Sequence, residues 1–277
     1  MNETLKRSIS GFVYIALLIF CILYSTLSFF ALFGVFLLIT VYEFCNLAKL
    51  NSVAPLVIST VSYSSIVYLS INKIKLSPSF DLSMLVATLF ISLKCVFLLF
   101  DNSKKALDTT SKYLFLLGYI LFPFIILTKI PFGIKGYNPK IILGIFILIW
   151  TNDTFAYIVG KSIGKHKLFE RISPKKTIEG FVGGVLFAVL AGYLISKYYI
   201  EGSKTNLFIW IGFALIVGFF GTIGDLVESK FKRIAGIKDS GKIMPGHGGI
   251  LDRLDSVIFV SPFIFLFYQI LNYVTFP

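Results

Sequence analysis

Apolar residues in this chain fall in long unbroken runs, separated by short polar stretches, with little strand-like alternation. Runs near the 20 or so residues that a helix needs to cross a bilayer can be placed nine times, at about 9–25, 27–45, 53–71, 82–100, 113–129, 140–160, 178–197, 206–227 and 250–274. The first two are joined by a very short turn at 24–28, and 53–71 is the run richest in Ser and Thr. No internal repeat, low-complexity tract or interdomain linker interrupts the pattern. It predicts an all-α polytopic transmembrane bundle folded as a single integral-membrane domain over 1–277, with helices of little chemical character in 1–140 and the polar chemistry concentrated in 141–277.

Composition strengthens this reading. Hydrophobic residues make up 56% of the 277 and charged residues only 14%, with a mean hydropathy of +0.86; a soluble domain carries about a quarter charged residues. Lys6 and Arg7 precede the first run as in a signal peptide, but no small-residue cleavage site follows, so the run reads as a retained span. Cys21, Cys45 and Cys95 all lie inside apolar runs without metal-ligand spacing and read as reduced packing residues.

The formal net charge of +12 changes the picture through its placement. The basic residues sit in the short loops between spans, which points to membrane orientation and anionic head groups and away from nucleic acid. With the N-terminus inside, 18 basic residues face the cytoplasm, including Lys49, Lys104, Lys105 and Lys112, six from 161–176 and six from 230–253. Seven face the other side (Lys73, Lys75, Lys129, Lys135, Lys140, Lys197 and Lys204), and Lys94 lies within a span. The positive-inside rule therefore predicts N-in, C-out, with both strongly basic loops on the cytoplasmic rim.

One of these regions, 221–256, holds five of the chain's 14 acidic residues. Asp225 and Glu228 are spaced i, i+3, with Ser229 at i+4, so a helix puts them on one face. Asp252 and Asp255 repeat the spacing, with Ser256 four after Asp252. One pair ends a span and the other begins the next, so antiparallel packing would gather the acids at one end of the bundle. Carboxylates there are costly unless paired or bound to cation; pairing with Lys230, Lys232, Arg233 and Arg253 is one reading, and Mg²⁺, a hard cation that keeps water and substrate phosphate in its shell, is the other. Between the pairs, Pro245-Gly246-His247-Gly248-Gly249 reads as a tight turn opening a helix near Ile250. Its glycine amides and the helix N-terminus suit an anion, and His247 is placed to bond a phosphate or orient a carboxylate.

A second polar region, 150–184, begins inside the sixth span with Asn152 and Asp153. Asp153, Ala156, Tyr157, Gly160 and Gly164 share one helical face, a closely packing stripe with an acid in it. Ser173-Pro174-Lys175-Lys176-Thr177 then leads into the seventh span. Two lysines, two hydroxyls and a helix N-terminus suit a polyphosphate, although a positive-inside anchor would look the same. The glycine-rich phosphate loops of dinucleotide-binding and P-loop proteins are absent. Glu43 and Lys94 belong to no motif, and snorkelling explains Lys94 as well as substrate contact does.

These residues resemble the CTP-dependent phosphatidate cytidylyltransferases, or CDP-diacylglycerol synthases. The family signature is met by Ser229, Lys232-Arg233, Lys238-Asp239, Gly241, Pro245, His247-Gly248-Gly249, Asp252-Arg253 and Asp255, more than a dozen specified positions over 27 residues. Met244 stands where the family usually has Leu, Ile or Phe. Upstream, Asp153-x-x-Ala-Tyr, Gly160-Lys161, Gly164-Lys165 and 172–180 also look like the family, while 1–140 matches only in being helical and apolar. The resemblance implies CMP transfer from CTP to phosphatidic acid in phospholipid biosynthesis, giving CDP-diacylglycerol and pyrophosphate, by an enzyme that uses Mg²⁺, with a second cation left open. It implies metal ligands in Asp225, Asp252 and Asp255, with Asp153 and Asp239 as further candidates. Lys175, Lys176, Lys232, Arg233 and Lys238 would bind phosphates, with Ser173, Thr177 and His247 assisting; Ser229, Gly248, Gly249 and Arg253 complete the expected substrate contacts. The rival classes are another CTP-using lipid enzyme, such as a polyprenol kinase or a transferase acting on an ether-linked phospholipid, and a transporter or channel whose polar loops line a cation path. The Gly160/Gly164 and Gly180/Gly184 pairs fit helix packing within one subunit or between two, so a homodimer stays open.

Overall fold

The computed structural model describes residues 3–74, 76–101, 107–133, 136–199 and 204–275, without the side chains of 3–4, 204–206 and 272–275. Lys75, Lys104, Lys105 and Lys135, counted above for orientation, lie outside the described residues, as does the Lys204 side chain. Among the described residues nine helices are long and apolar enough to cross a membrane. They are α1 (Glu3–Tyr24), α2 (Thr26–Ala48), α3 (Val53–Ile71), α4 (Pro78–Phe100), α5 (Thr109–Lys129), α6 (Pro139–Ile163), α7 (Ile178–Tyr199), α8 and α9 (Leu251–Thr275). Helix α8 runs Lys204–Ile216, passes through a π-helical turn at Val217–Gly221 and continues as Thr222–Ala235. The chain is thus an all-α polytopic bundle, as its apolar runs predict.

Two small antiparallel hairpins interrupt the helices: β1 (Phe132–Gly133) with β2 (Gly136–Tyr137), and β3 (Lys167–Phe169) with β4 (Ser173–Thr177). The second is the basic stretch that hydropathy alone leaves as a loop. It is fastened at several points. Arg171 donates to the Leu99 carbonyl at the end of α4 (2.7 Å), and Arg233 of α8 donates to the Ile172 carbonyl (3.4 Å). Cations on the open carbonyls of a helix C-terminus are favourable, and Lys230 adds another by donating to the Asp101 carbonyl (2.6 Å).

Local chemistry explains the helix ends. A single residue, Ser25, separates α1 from α2, and it forms a reciprocal capping box with Ser28. The α8 helix outlasts its apolar run by two turns. Its last stretch, ESKFKRIA, is rich in helix formers, and Phe231 packs on the rings of Phe44, Phe115 and Tyr119 with centroids 5.5, 5.2 and 5.5 Å away. Gly236, at φ 74°, ends it in the left-handed conformation that glycine adopts without strain.

Close packing between α6 and α7 is made by glycines. A Cβ on Gly180 would strike the Ala156 carbonyl and the Gly160 Cα, and one on Gly184 would strike Asn152 and Ala156. The small-residue stripes are therefore used within the chain. A similar close approach joins α8 to α9: a Cβ on Gly224 would meet Phe259 and the Asp255 carbonyl. That contact sets the candidate site.

Candidate functional site

With Gly224 against α9, Asp225 and Glu228 on α8 come to face Asp255, which lies four residues into α9. Carboxylate oxygens of Asp225, Glu228 and Asp255 all lie within 4.8 Å of one another. Glu228 is 1% exposed and Asp255 8%. The antiparallel convergence expected from the i, i+3 spacing is present, with one exchange of membership: Glu228 joins the cluster and Asp252 does not.

Asp252 is turned towards the loop before α9, and both its oxygens are engaged. Oδ1 accepts from Lys232 Nζ at 2.7 Å. Oδ2 accepts from the Ser240 amide and hydroxyl, each at 2.9 Å, and from the Gly249 amide at 2.7 Å. Lys232 also pairs with Glu228 Oε2 at 2.5 Å. Among the described residues Glu228 Oε1 has no hydrogen-bond partner although it is buried. A buried acceptor left open beside two other carboxylates is expensive, and a cation would relieve it. Hard oxygen donors in this number suit a divalent ion such as Mg²⁺, so Asp225, Glu228 and Asp255 fit such a group.

Lys176 reaches the cluster from the hairpin, pairing with Asp225 Oδ2 at 2.7 Å, while Ser229 donates to Asp225 Oδ1 at 3.3 Å. Successive strand residues point to opposite faces, so Lys175, next to Lys176 on β4, stands exposed on the other side. The pair of lysines is therefore split. Asp153 accepts from the Asn152 side chain at 3.2 Å and is in electrostatic contact with Asp225, Lys176 and Arg253, which places it on the same site though outside the cluster. Asp239 and Lys238 are exposed on the loop after α8.

Several other expected phosphate ligands have internal partners. Thr177 caps α7 by accepting from the Gly180 amide at 3.1 Å, and Ser173 lies in the hairpin register opposite Phe169. Arg233 serves the Ile172 and Ile237 carbonyls, and Arg253 donates to the His247 carbonyl at 2.8 Å. His247 Nδ1 lies 2.8 Å from the hydroxyl of Ser10 on α1. Burial and the charges of Arg253 and Arg7 hold its pKa below the usual value. The Pro-Gly-His-Gly-Gly turn is stabilised by a bridge between Met244 and Gly248, with Gly246 and Gly248 at φ 77° and 89°. The two helix-opening amides of Ile250 and Leu251 donate to Glu43 of α2.

Glu43, Ser240 and Ser10 are thus partners of the site that motif reading misses. Only Glu43 leaves a signal in the sequence, as an acid within an apolar span.

The class that this fold and cluster define is a polytopic membrane protein with acidic and basic groups gathered at one end of its bundle. Residues 5–271 match the cytidylyltransferase family, and the chain belongs to that family. It is similar to proteins named phosphatidate cytidylyltransferase: 55% identical over 121 residues to that of Staphylococcus aureus (strain COL), 50% over 123 residues to that of Staphylococcus epidermidis and 49% over 121 residues to that of Staphylococcus haemolyticus. In each case the matched stretch is 44% of this chain and 46% of the relative, so the match spans about half the length of these relatives.

Proposed function

We propose that this protein transfers CMP from CTP to phosphatidic acid, releasing pyrophosphate and leaving CDP-diacylglycerol in the membrane. The observation that carries the reading is the Asp225–Glu228–Asp255 cluster, with Glu228 Oε1 open and Lys176 at its edge, in a chain of the cytidylyltransferase family. The names of the relatives supply the substrate class.

In this reaction a phosphate oxygen of phosphatidic acid bonds to the α-phosphorus of CTP as the bond to the bridging α–β oxygen breaks. The phosphate is ionised at neutral pH and needs no dedicated base, so the protein's work is placement and charge compensation. Asp225, Glu228 and Asp255 would hold Mg²⁺, which when bound neutralises charge on the triphosphate and leaving pyrophosphate; a second cation would draw on Asp153. Lys176, paired with Asp225 in the free protein, is the cation best placed to turn to a CTP phosphate. Lys232 keeps Glu228 oriented, and the exposed Lys238 and Lys175 add positive charge around the mouth of the site. An N-in, C-out orientation puts this rim in the cytoplasm, where CTP is, while phosphatidic acid arrives from the bilayer.

The test is turnover by the purified full-length chain in mixed micelles of detergent and phosphatidic acid with Mg²⁺. CTP labelled in the cytosine ring is expected to transfer its label to lipid. Label reaching lipid only from the γ-phosphate would make the protein a lipid kinase, and no transfer of either label would overturn the reading.

A further inference from the structure

Glu43 lies on α2, outside the signature at 229–255, yet it is 2% exposed and faces the start of α9. Its Oε1 accepts from the Ile250 amide at 3.1 Å and its Oε2 from the Leu251 amide at 2.8 Å. The Ser240 hydroxyl lies 3.4 Å from Oε2. Unpaired amides at a helix N-terminus are a ready seat for an anion, and here a side chain of the protein fills it. Two glycines make the room: a Cβ on either Gly241 or Gly249 would collide with the Glu43 carboxylate. The same loop then holds Asp252, through the Ser240 and Gly249 amides. Asp252 holds Lys232, and Lys232 holds Glu228 Oε2.

We propose that Glu43 is a positioning residue of the candidate active site. Its carboxylate takes the anion seat at the head of α9 and pins the loop before that helix to α2. Asp252 is thereby kept on Lys232, and Glu228 is left with one oxygen free for the cation. This rests on the cation-assisted transfer proposed above. It also gives Gly249 a role distinct from phosphate binding: its missing side chain admits Glu43, and its amide serves Asp252.

The experiment compares the full-length protein with Glu43→Gln and Glu43→Asp in detergent micelles, using Mn²⁺ as probe. Binding is read by electron paramagnetic resonance without CTP or lipid, beside CMP-transfer kinetics and thermal unfolding. Glutamine keeps the length but sets an NH₂ against an amide donor, whereas aspartate keeps the charge and is one methylene short. Glu43→Gln is expected to weaken Mn²⁺ binding by about 10–100-fold, the usual effect of losing a partner behind the ligands. It should lower kcat much more than it raises the KM for CTP, and Glu43→Asp should fall between Glu43→Gln and the unsubstituted protein. Unchanged Mn²⁺ affinity in folded Glu43→Gln, with or without a lower unfolding temperature, overturns the proposal by reducing Glu43 to a structural brace. If Glu43→Gln does not fold, Gly241→Ala presses on the same carboxylate and decides the question by the same Mn²⁺ readout. An unsubstituted chain that binds Mn²⁺ yet transfers no CMP would refute the proposed reaction, and the Mn²⁺ comparison would still judge Glu43.

Discussion

Four carboxylates, Asp225, Glu228, Asp252 and Asp255, gather at this site, and three of them pair with two lysine ammonium groups, Lys176 and Lys232. Lys232 is shared by Glu228 and Asp252 and Lys176 is given to Asp225, and among the described residues no lysine pairs with Asp255. Its Oδ1 accepts the amide of Ser256 at 2.7 Å. The excess of negative charge, partly buried, is what a divalent cation would balance. The two aspartates of α9 should consequently respond differently to neutralisation. Asp255→Asn is expected to abolish Mn²⁺ binding and lower CMP transfer by about 100-fold or more, whereas Asp252→Asn acts indirectly, within the 10–100-fold range of a supporting partner. Asp252→Asn should also lower the unfolding temperature, because it leaves Lys232 and three loop donors short of an acceptor. Full activity in Asp255→Asn would remove that residue from the cation site.

Hairpin β3–β4 and helix α8 show how local geometry assigns roles to neighbours of identical type. Strand alternation sends Lys176 to the carboxylates and Lys175 away from them. Removing a charge-assisted contact to phosphate costs about 1.5–3 kcal/mol, so Lys176→Ala is expected to raise the KM for CTP by roughly tenfold or more. Lys175→Ala should raise it by less than about threefold, the effect of a screened and exposed charge. Equal effects from the two substitutions would mean that the hairpin turns over when CTP binds. The π-helical turn at Val217–Gly221 has a comparable local consequence: it comes immediately before the stretch that carries Asp225 and Glu228, and the Gly221 carbonyl there accepts from Ser256 of α9 at 3.2 Å.

Across the molecule, the two halves of the chain share the site. Helix α2 supplies Glu43, α1 supplies Ser10 to His247, and Gly11 packs against the same imidazole. The candidate site therefore draws contacts from outside the motif-bearing 141–277. The basic loops predict its orientation, which can be read by cysteine labelling in a background where the three native cysteines are replaced. With N-in, C-out topology, Asn138→Cys should react with a membrane-impermeant maleimide added to intact cells, and Lys242→Cys only after the membrane is opened. The reverse pattern would place the candidate site outside and separate it from cytosolic CTP.

Much of this protein is determined by its sequence alone. Nine apolar runs dictate the nine membrane-length helices found among the described residues, because a backbone in lipid must satisfy its own hydrogen bonds. Carboxylates at i, i+3 dictate a shared face, and the signature over 229–255 dictates the family. Where helical periodicity ran beyond the apolar run, as in α8, hydropathy stopped short because it measures transfer to lipid, and the last turns are held by Phe231 packing on protein rings. Which carboxylates meet was decided only by tertiary structure. Asp252 and Asp255 have the same chemistry and nearly the same place in the sequence, but Asp252 sits in the first turn of α9, where the Ser240 and Gly249 amides take it, and Asp255, almost a turn further on, meets Asp225 and Glu228 of α8. Glu43 was beyond local reading for the same reason: its partners are some 200 positions away, and only packing α2 against the head of α9 turns an isolated acid in an apolar span into the cap of the site.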